Sequence, residues 1–338
     1  MDTKRLRFQT IIPLQKYSLI LKSDSEKIIE AVSCWVDADI AGRHSADALS
    51  PRVPVEVDLY SGLPPAGVEM PSSPAPTAVF EDVKFYLDSD YTALTFDDKS
   101  FVNVDLKKGI ARGFVCKEHL EAPWTISHRI FYVPVLEMMR AKGVCYIHAG
   151  CVCRGNQSIL LSGGSGHGKS TLTYALARSR FSYLSDDAVF VENGPAGIEI
   201  FSFPEKIKLD TNSRSFFPEF DEFEKSRGKM EIPLKSTRIS DVVVRGEPYA
   251  VIFCGIGHGK ESKLAGLPRS ETLLRLIGQS VSIASKKSIE RNLDMLMALS
   301  EASRSYELKV GNTFEGVPEL IESALFAQPR TGGERPGS

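Results

Sequence analysis

The sequence has little of what marks a specialised scaffold. Its 338 residues include only six cysteines, and 41 basic residues nearly cancel 43 acidic ones, leaving a formal charge of −2. So few cysteines exclude a disulfide-stapled framework. The missing basic excess argues against wrapping of nucleic acid and against docking on an anionic membrane. No run approaches the ~18–20 apolar residues that a bilayer-spanning helix needs. Gln9, Thr10, Pro13, Gln15 and Lys16 interrupt any apolar core behind the charged start, so a leader peptide is not expected. A cytoplasmic location is expected, with no membrane or nucleic-acid partner. What remains is ordinary globular material, 42% hydrophobic and 25% charged. At ~150 residues per domain the length suggests about two domains.

Residues 1–120 read as a mostly β N-terminal domain. Val102, Val104 and Leu106 alternate with polar residues, and Val53–Tyr60, Thr77–Leu87 and Tyr91–Phe96 look similar. Seven prolines from Pro51 to Pro76 exclude a helix and predict an irregular surface loop. Nothing there carries chemistry. Residues 121–327 have an α/β texture. A helix is predicted over 126–142, kinked at Pro134, and Arg154-Gly155-Asn156-Gln157 predicts a hairpin between Val144–Cys153 and Ser158–Leu161. A helix over 169–180 and a strand over Phe181–Leu184 follow. Towards the end, Ile289, Leu293, Leu296 and Met297 predict a core-facing helix, Tyr306–Val310 a strand and Val317–Phe326 a last helix. Residues 328–338 read as a frayed tail.

Gly163-Gly164-Ser165-Gly166-His167-Gly168-Lys169-Ser170 satisfies G-x-x-x-x-G-K-[ST]. Glycines let successive N–H groups turn toward one polyphosphate, and the helix that follows adds its own unsatisfied N–H groups. Lys169 can reach the β and γ phosphates, Ser170 can ligate Mg²⁺, and Thr171 can donate to the α-phosphate. An apolar strand, Ile159-Leu160-Leu161, enters this loop and an amphipathic helix leaves it. His167 is expected to point to solvent. A second glycine run, Gly255–Lys260, fails the spacing and reads as a hairpin loop between Tyr249–Cys254 and Ser262–Leu267.

Asp186-Asp187 closes the next strand, seventeen residues beyond Lys169. In a parallel βαβ unit such a pair stands at the C-terminal edge of the neighbouring strand, beside the loop. Two carboxylates there can hold Mg²⁺, directly or through water, and accept the proton of an incoming hydroxyl. Which of the two does which is open, with Asp186 and Ser170 taken as the metal partners. Cys145, Cys151 and Cys153 share strand parity and read as core thiols rather than zinc ligands. Met295/Met297 and Phe216/Phe217 read as packing or loop anchors; Lys206, Lys208, Arg269 and Arg275 could supply transition-state charge stabilisation but read as solvated side chains.

His148-Ala149-Gly150, the loop Gly163–Thr171 and Leu184-Ser185-Asp186-Asp187 together resemble the catalytic domain of the HPr kinase/phosphorylase family. They resemble also the wider group that contains phosphoenolpyruvate carboxykinase. His148 precedes Lys169 by the family's twenty-one residues, and the acidic pair follows by its seventeen. The resemblance implies a P-loop kinase core of the HPr kinase C-terminal-domain type. It implies His148 near the transferred phosphate, Lys169 and Ser170 on phosphate and Mg²⁺, and the Asp pair as metal partner and general base. It covers residues 140–190 firmly and extends loosely to about 327. The family's later acidic-Arg-Gly signature has no counterpart, and the first 120 residues do not match its usual N-terminal domain. Neither the reverse phosphorylase reaction nor HPr as acceptor is therefore carried over. The expectation is an ATP·Mg²⁺-dependent phosphotransferase acting on a hydroxyl, a serine of a protein or peptide or a small alcohol, in a chain able to form a homo-oligomer. The alternative is a nucleotide-binding regulatory module or an ATPase without phosphotransfer.

Overall fold

A computed structural model describes residues 6–46, 52–71, 75–164, 166–223, 229–257, 259–280 and 286–326. The predicted tail at 328–338 and Ser165 lie outside the described residues. Alternation in the first third builds one sheet from β1 (Phe8–Leu14), β2 (Tyr17–Ser23), β3 (Val53–Tyr60), β4 (Ala78–Phe80), β5 (Val83–Leu87), β6 (Tyr91–Phe96), β7 (Ser100–Asp105) and β8 (Ile110–Phe114). Their order is β1-β2-β3-β8-β7-β6-β5-β4, with β2, β3 and β8 parallel. A parallel step needs a crossover, and α1 (Glu26–Trp35) and α2 (Ala38–Ala46) supply it. These two helices are absent from the sequence reading, although Ile28, Ala31, Val32 and Trp35 keep helical spacing and are buried. The proline-rich stretch is irregular over 61–71, while Pro54 is accommodated near the start of β3.

The inner face of this sheet, with Leu19, Leu21, Val55, Val57, Val102 and Val104, packs on Ile28, Val32 and Trp35 of α1. Short turns α3 (Lys117–Leu120) and α4 (Pro123–Thr125) lead into a π-helical turn, Ile126–Phe131, and then α5 (Tyr132–Ala141). The predicted kink at Pro134 takes this form because proline lacks an N–H and crowds the carbonyl of Ile130, so the preceding turn widens. Ile130, Val135 and Met138 join the same core, as do Phe190 and Phe201 from the second sheet and Phe203 just beyond its strand Gly197–Ser202. Hydrophobic packing is therefore continuous across residue 120.

The second sheet contains β9 (Cys145–His148), β10 (Gly150–Arg154), β11 (Gln157–Ser162), β12 (Ser182–Ser185), β13 (Ala188–Gly194) and β14 (Gly197–Ser202). A ribbon of β15 (Ile207–Asp210) and β16 (Lys229–Ile232) stands apart, and β17 (Arg245–Ile256), β18 (Lys263–Gly266) and β19 (Arg304–Val310) complete the sheet. At its centre β11, β17 and β19 run parallel. Helices α6 (Lys169–Ala177), α7 (Arg269–Gln279), α8 (Lys286–Ala302) and α9 (Val317–Phe326) follow their strands. No helix among the described residues is long and apolar enough to cross a membrane.

The predicted hairpin at Arg154–Gln157 joins β10 to β11. Three expectations need correction. β12 is not the neighbour of β11, because β10 lies between them and pairs antiparallel with both. β12 nonetheless runs in the direction of β11, so their C-terminal ends share one edge. Gly255–Lys260 is no hairpin: β18 pairs with β19, which separates it from β17. In α8 the buried face is Met295, Leu296 and Leu299, packed with Leu276 of α7 against Leu160 and Val251, whereas Ile289, Leu293 and Met297 are exposed. The helix carries two apolar stripes, and contact with the sheet selects the other one.

Candidate functional site

The C-terminal ends of β11, β17 and β19 meet at one sheet edge, the usual ligand position in such sheets. A cavity of about 440 Å³ opens there, lined by Gly166–Thr171, by Ile256 from the end of β17 and by Val310, Gly311, Asn312 and Phe314 beyond β19. Close packing fixes the glycine loop from two sides. Gly163 has φ +149°, and a Cβ there would lie 2.6 Å from the Cys254 carbonyl oxygen on β17. Gly150, third of His148-Ala149-Gly150, leaves room for α6: a Cβ would come 2.1 Å from Thr173 Oγ1. Leu172 and Leu176 anchor α6 in the core. Lys169 is 7% exposed, and its Nζ donates to the Gly163 and Gly164 carbonyls at 2.9 and 3.1 Å. Burial lowers its pKa, against the opposing charge of Asp187. Ser170 Oγ donates at 3.4 Å to the Asp186 carbonyl, and Thr171 Oγ1 lies 2.8 Å from Ser213 Oγ. Rather than pointing only to solvent, His167 lines this cavity and a second one of about 420 Å³ behind the loop.

Facing the loop stand His148 and Asp187. The register pairs His148 with Ala188, so the residue before Ala188 falls beside the imidazole. His148 Nδ1 is 2.9 Å from Asp187 Oδ1. Burial alone would raise the Asp187 pKa, but the His148 hydrogen bond and the Lys208 charge outweigh it and hold the carboxyl well below the usual range. Asp186 does not reach the cavity. It is 1% exposed, its Oδ1 accepts from Tyr183 Oη at 2.8 Å, and its Oδ2 accepts from the Lys208 N–H at 3.0 Å. Burial, then the charges of Asp187 and Glu205, push its pKa up to about 7. Adjacent residues at a strand end point to opposite sides, so one carboxylate faces the cavity while the other locks the ribbon β15 to the sheet.

Lys208 is buried, contrary to the solvated reading. Its Nζ lies 2.5 Å from Glu205 Oε2 and 3.5 Å from Asp187 Oδ2. The indole N–H of Trp35, from α1, donates to the same Glu205 oxygen at 3.2 Å. Of the other basic residues considered, Arg269 is exposed beside Glu301, and Arg275 pairs with Glu271 and Glu307 at the second cavity. The three strand cysteines are buried in the core as expected.

Sequence reasoning missed the far wall: Asp210, Asn212, Ser213, Phe216, Lys229 and Phe314 all line the cavity. Phe216 is 41% exposed and meets Phe314 edge-to-face at 5.1 Å, so it is more than an anchor, whereas Phe217 packs edge-on to Tyr174 at 4.7 Å. Asp210-Thr211-Asn212 carried a signal, since the Asp210 carboxylate accepts from the Asn212 N–H and starts the 3₁₀ turn Thr211–Ser215. Phe216 and Phe314 carried none, being far apart in the chain. Ser170 and Asp187 offer hard oxygen donors that suit Mg²⁺ shared with phosphate oxygens. Among the described residues no group of three or more His, Cys, Asp or Glu could hold an ion by itself.

No family model matches the chain, and no curated protein matches it in sequence. Among solved structures it is similar to the HPr(Ser) kinase/phosphatase from Coxiella burnetii, at 13% identity and a TM-score of 0.29, over 53% of this chain and 91% of that one. So loose a superposition carries no chemistry. The chain is of mixed α/β class, with its candidate site at the edge of a partly parallel sheet.

Proposed function

We propose that this chain is an ATP-dependent phosphotransferase with a P-loop kinase core of the HPr kinase type, which moves the γ-phosphoryl group onto a hydroxyl. One observation carries the reading: Lys169 and Ser170 of the loop share a single cavity with the His148–Asp187 pair. The N–H groups at the start of α6 and the Lys169 ammonium would hold the β and γ phosphates. To do so, Lys169 exchanges its two loop carbonyls for phosphate oxygens. Ser170 and Asp187 would hold Mg²⁺, which when bound neutralises charge on the phosphates. Asp186, buried and already bonded, is reassigned from metal partner to support of the site.

Asp187, ionised before the reaction, orients the acceptor hydroxyl. The hydroxyl oxygen bonds to the γ-phosphorus as the bond to the β–γ bridging oxygen breaks, ADP leaves, and the hydroxyl proton passes to the Asp187 carboxylate. Positioning and charge neutralisation do most of the work, as in other phosphoryl transfers. His148 and Lys208 grip the carboxylate from two sides, which fixes its direction.

Incubation with γ-labelled ATP, Mg²⁺ and a panel of serine-bearing proteins, peptides and small alcohols tests this. Label bound covalently to an acceptor is expected, with Asp187→Asn reducing transfer at least ~100-fold. Label released only as free phosphate would replace this reading with that of an ATPase or nucleotide-gated module.

A further inference from the structure

We propose that the Phe216–Phe314 wall of the cavity is a stacking site for the purine base of the bound nucleotide, with the Asn312 amide reading the base edge. The proposal rests on the phosphate-loop reading above and extends it to the other end of the ligand.

The direction of the ligand follows from the order of the loop residues. His148 and Asp187 mark the end where the γ-phosphate reacts. Ser170 and Thr171 lead away from them along α6, and Thr171 Oγ1 touches Ser213 Oγ at 2.8 Å. Ser213 accepts the backbone N–H of Phe216 at 3.0 Å through its carbonyl, so the chain past the α-phosphate position turns directly into that aromatic ring. Phe314 approaches from the opposite segment: its ring tip lies 3.6 Å from where a Cβ of Gly168 would stand. The aromatic wall thus begins at the loop itself.

An exposed phenylalanine is often surface noise. Phe216 differs because its environment presents it. Phe217 is buried against Tyr174 and Phe220, and that fixes the backbone while the neighbouring ring is left 41% exposed at the cavity. Phe314 meets the Phe216 ring at 87° with centroids 5.1 Å apart, and Phe216 remains 41% exposed, which leaves ring surface for a flat ligand. Ile256 and Val310 add apolar surface to the same cavity, whose volume of about 440 Å³ falls in the range of small-molecule sites. An amide carries both donors and an acceptor, so Asn312 can meet the polar edge of either purine.

Calorimetric titration of the full chain with ADP, GDP, UDP and inorganic pyrophosphate separates the base from the phosphates. Phe216→Ala should weaken ADP roughly tenfold, the low end of base–aromatic stacking. It should leave pyrophosphate within about twofold, and Phe216→Trp should restore ADP. Both purine nucleotides should bind more tightly than UDP. Unchanged ADP affinity in Phe216→Ala would overturn the proposal, as would equal losses for ADP and pyrophosphate or UDP binding as well as ADP. Lys169→Ala tests the underlying reading separately: it should weaken ADP and pyrophosphate alike. If it weakens neither, the phosphate loop itself is misread, whatever Phe216 does.

Discussion

Two glycine-rich loops leave adjacent parallel strands at the same sheet edge, and only one runs on into a helix beside the candidate site. Gly163–Ser170 follows β11, and Gly255–Lys260 begins in the last two residues of β17 and runs on beyond it, with Ser162 paired to Phe253 across the two strands. The first runs into α6, whose Leu172, Tyr174 and Leu176 are buried, and this holds Lys169 under the loop at 7% exposure. The second closes onto β19, where the Gly257 N–H donates to the Val310 carbonyl at 2.7 Å, and then passes to β18, with Lys260 exposed. Glycine content is shared, so it does not distinguish the two loops. The following helix is what differs: it supplies oriented N–H groups and a buried platform for the lysine.

Removing each lysine sharpens that contrast most. Lys169→Ala should lower turnover at least ~100-fold, the cost of losing one strong contact to developing charge. Lys260→Ala should stay within about twofold, measured by steady-state transfer from ATP. Equal effects would mean that the two loops are functionally alike. A smaller effect comes from the backbone. Gly163→Ala places a Cβ 2.6 Å from a carbonyl at φ +149°, and should cost roughly 2–4 kcal/mol in urea unfolding. At Gly259 the nearest atom would be 3.8 Å away, so alanine there should stay within about 0.5 kcal/mol. A tolerated Gly163→Ala would show that the loop does not need its contact with β17.

The same contrast explains what the sequence could and could not convey. The loop, its strand and its helix were legible because all three are local, written in spacing and alternation within about twenty residues. Strand order was not, since the placement of β10 between β11 and β12, and of β19 between β17 and β18, depends on pairings between distant segments. Nor did the sequence separate Asp186 from Asp187. Their fates depend on Tyr183, Lys208 and His148, and only the register of β9 on β13 brings His148 beside Asp187 rather than Asp186. Lys208 is the clearest loss: a lysine that looked solvated is buried between the two halves of the chain, paired with Glu205, which also accepts from Trp35. The α1 tryptophan thereby gives the N-terminal sheet a direct contact with the support of the site.

The remaining difference between the loops is electrostatic, and pH can expose it, because the acidic pair stands beside the first loop alone. Asp186 binds its proton more tightly in the fold than in the unfolded chain, its pKa being pushed up to about 7 by burial and by Asp187. Between about pH 4 and pH 7 the native state therefore keeps a proton that the unfolded state gives up. Stability from this group falls as pH rises, by at most about 1.4 kcal/mol per pH unit. Asp187 acts in the opposite sense: held well below the usual range, it contributes stability above about pH 4 that is lost on acidification. Buried His44, whose pKa burial lowers to about 3, adds its own rise between about pH 3 and pH 6.5. These slopes overlap in the wild-type protein, so the informative quantity is the difference from Asp186→Asn. That substitution removes the Asp186 titration and leaves those of Asp187 and His44 in place. The variant's stability relative to wild type should rise between pH 4 and pH 7 and level off above, as measured by urea unfolding at each pH. A flat difference across that window would mean that Asp186 is ionised throughout, and that water reaches the carboxylate which Tyr183 and the Lys208 N–H here enclose.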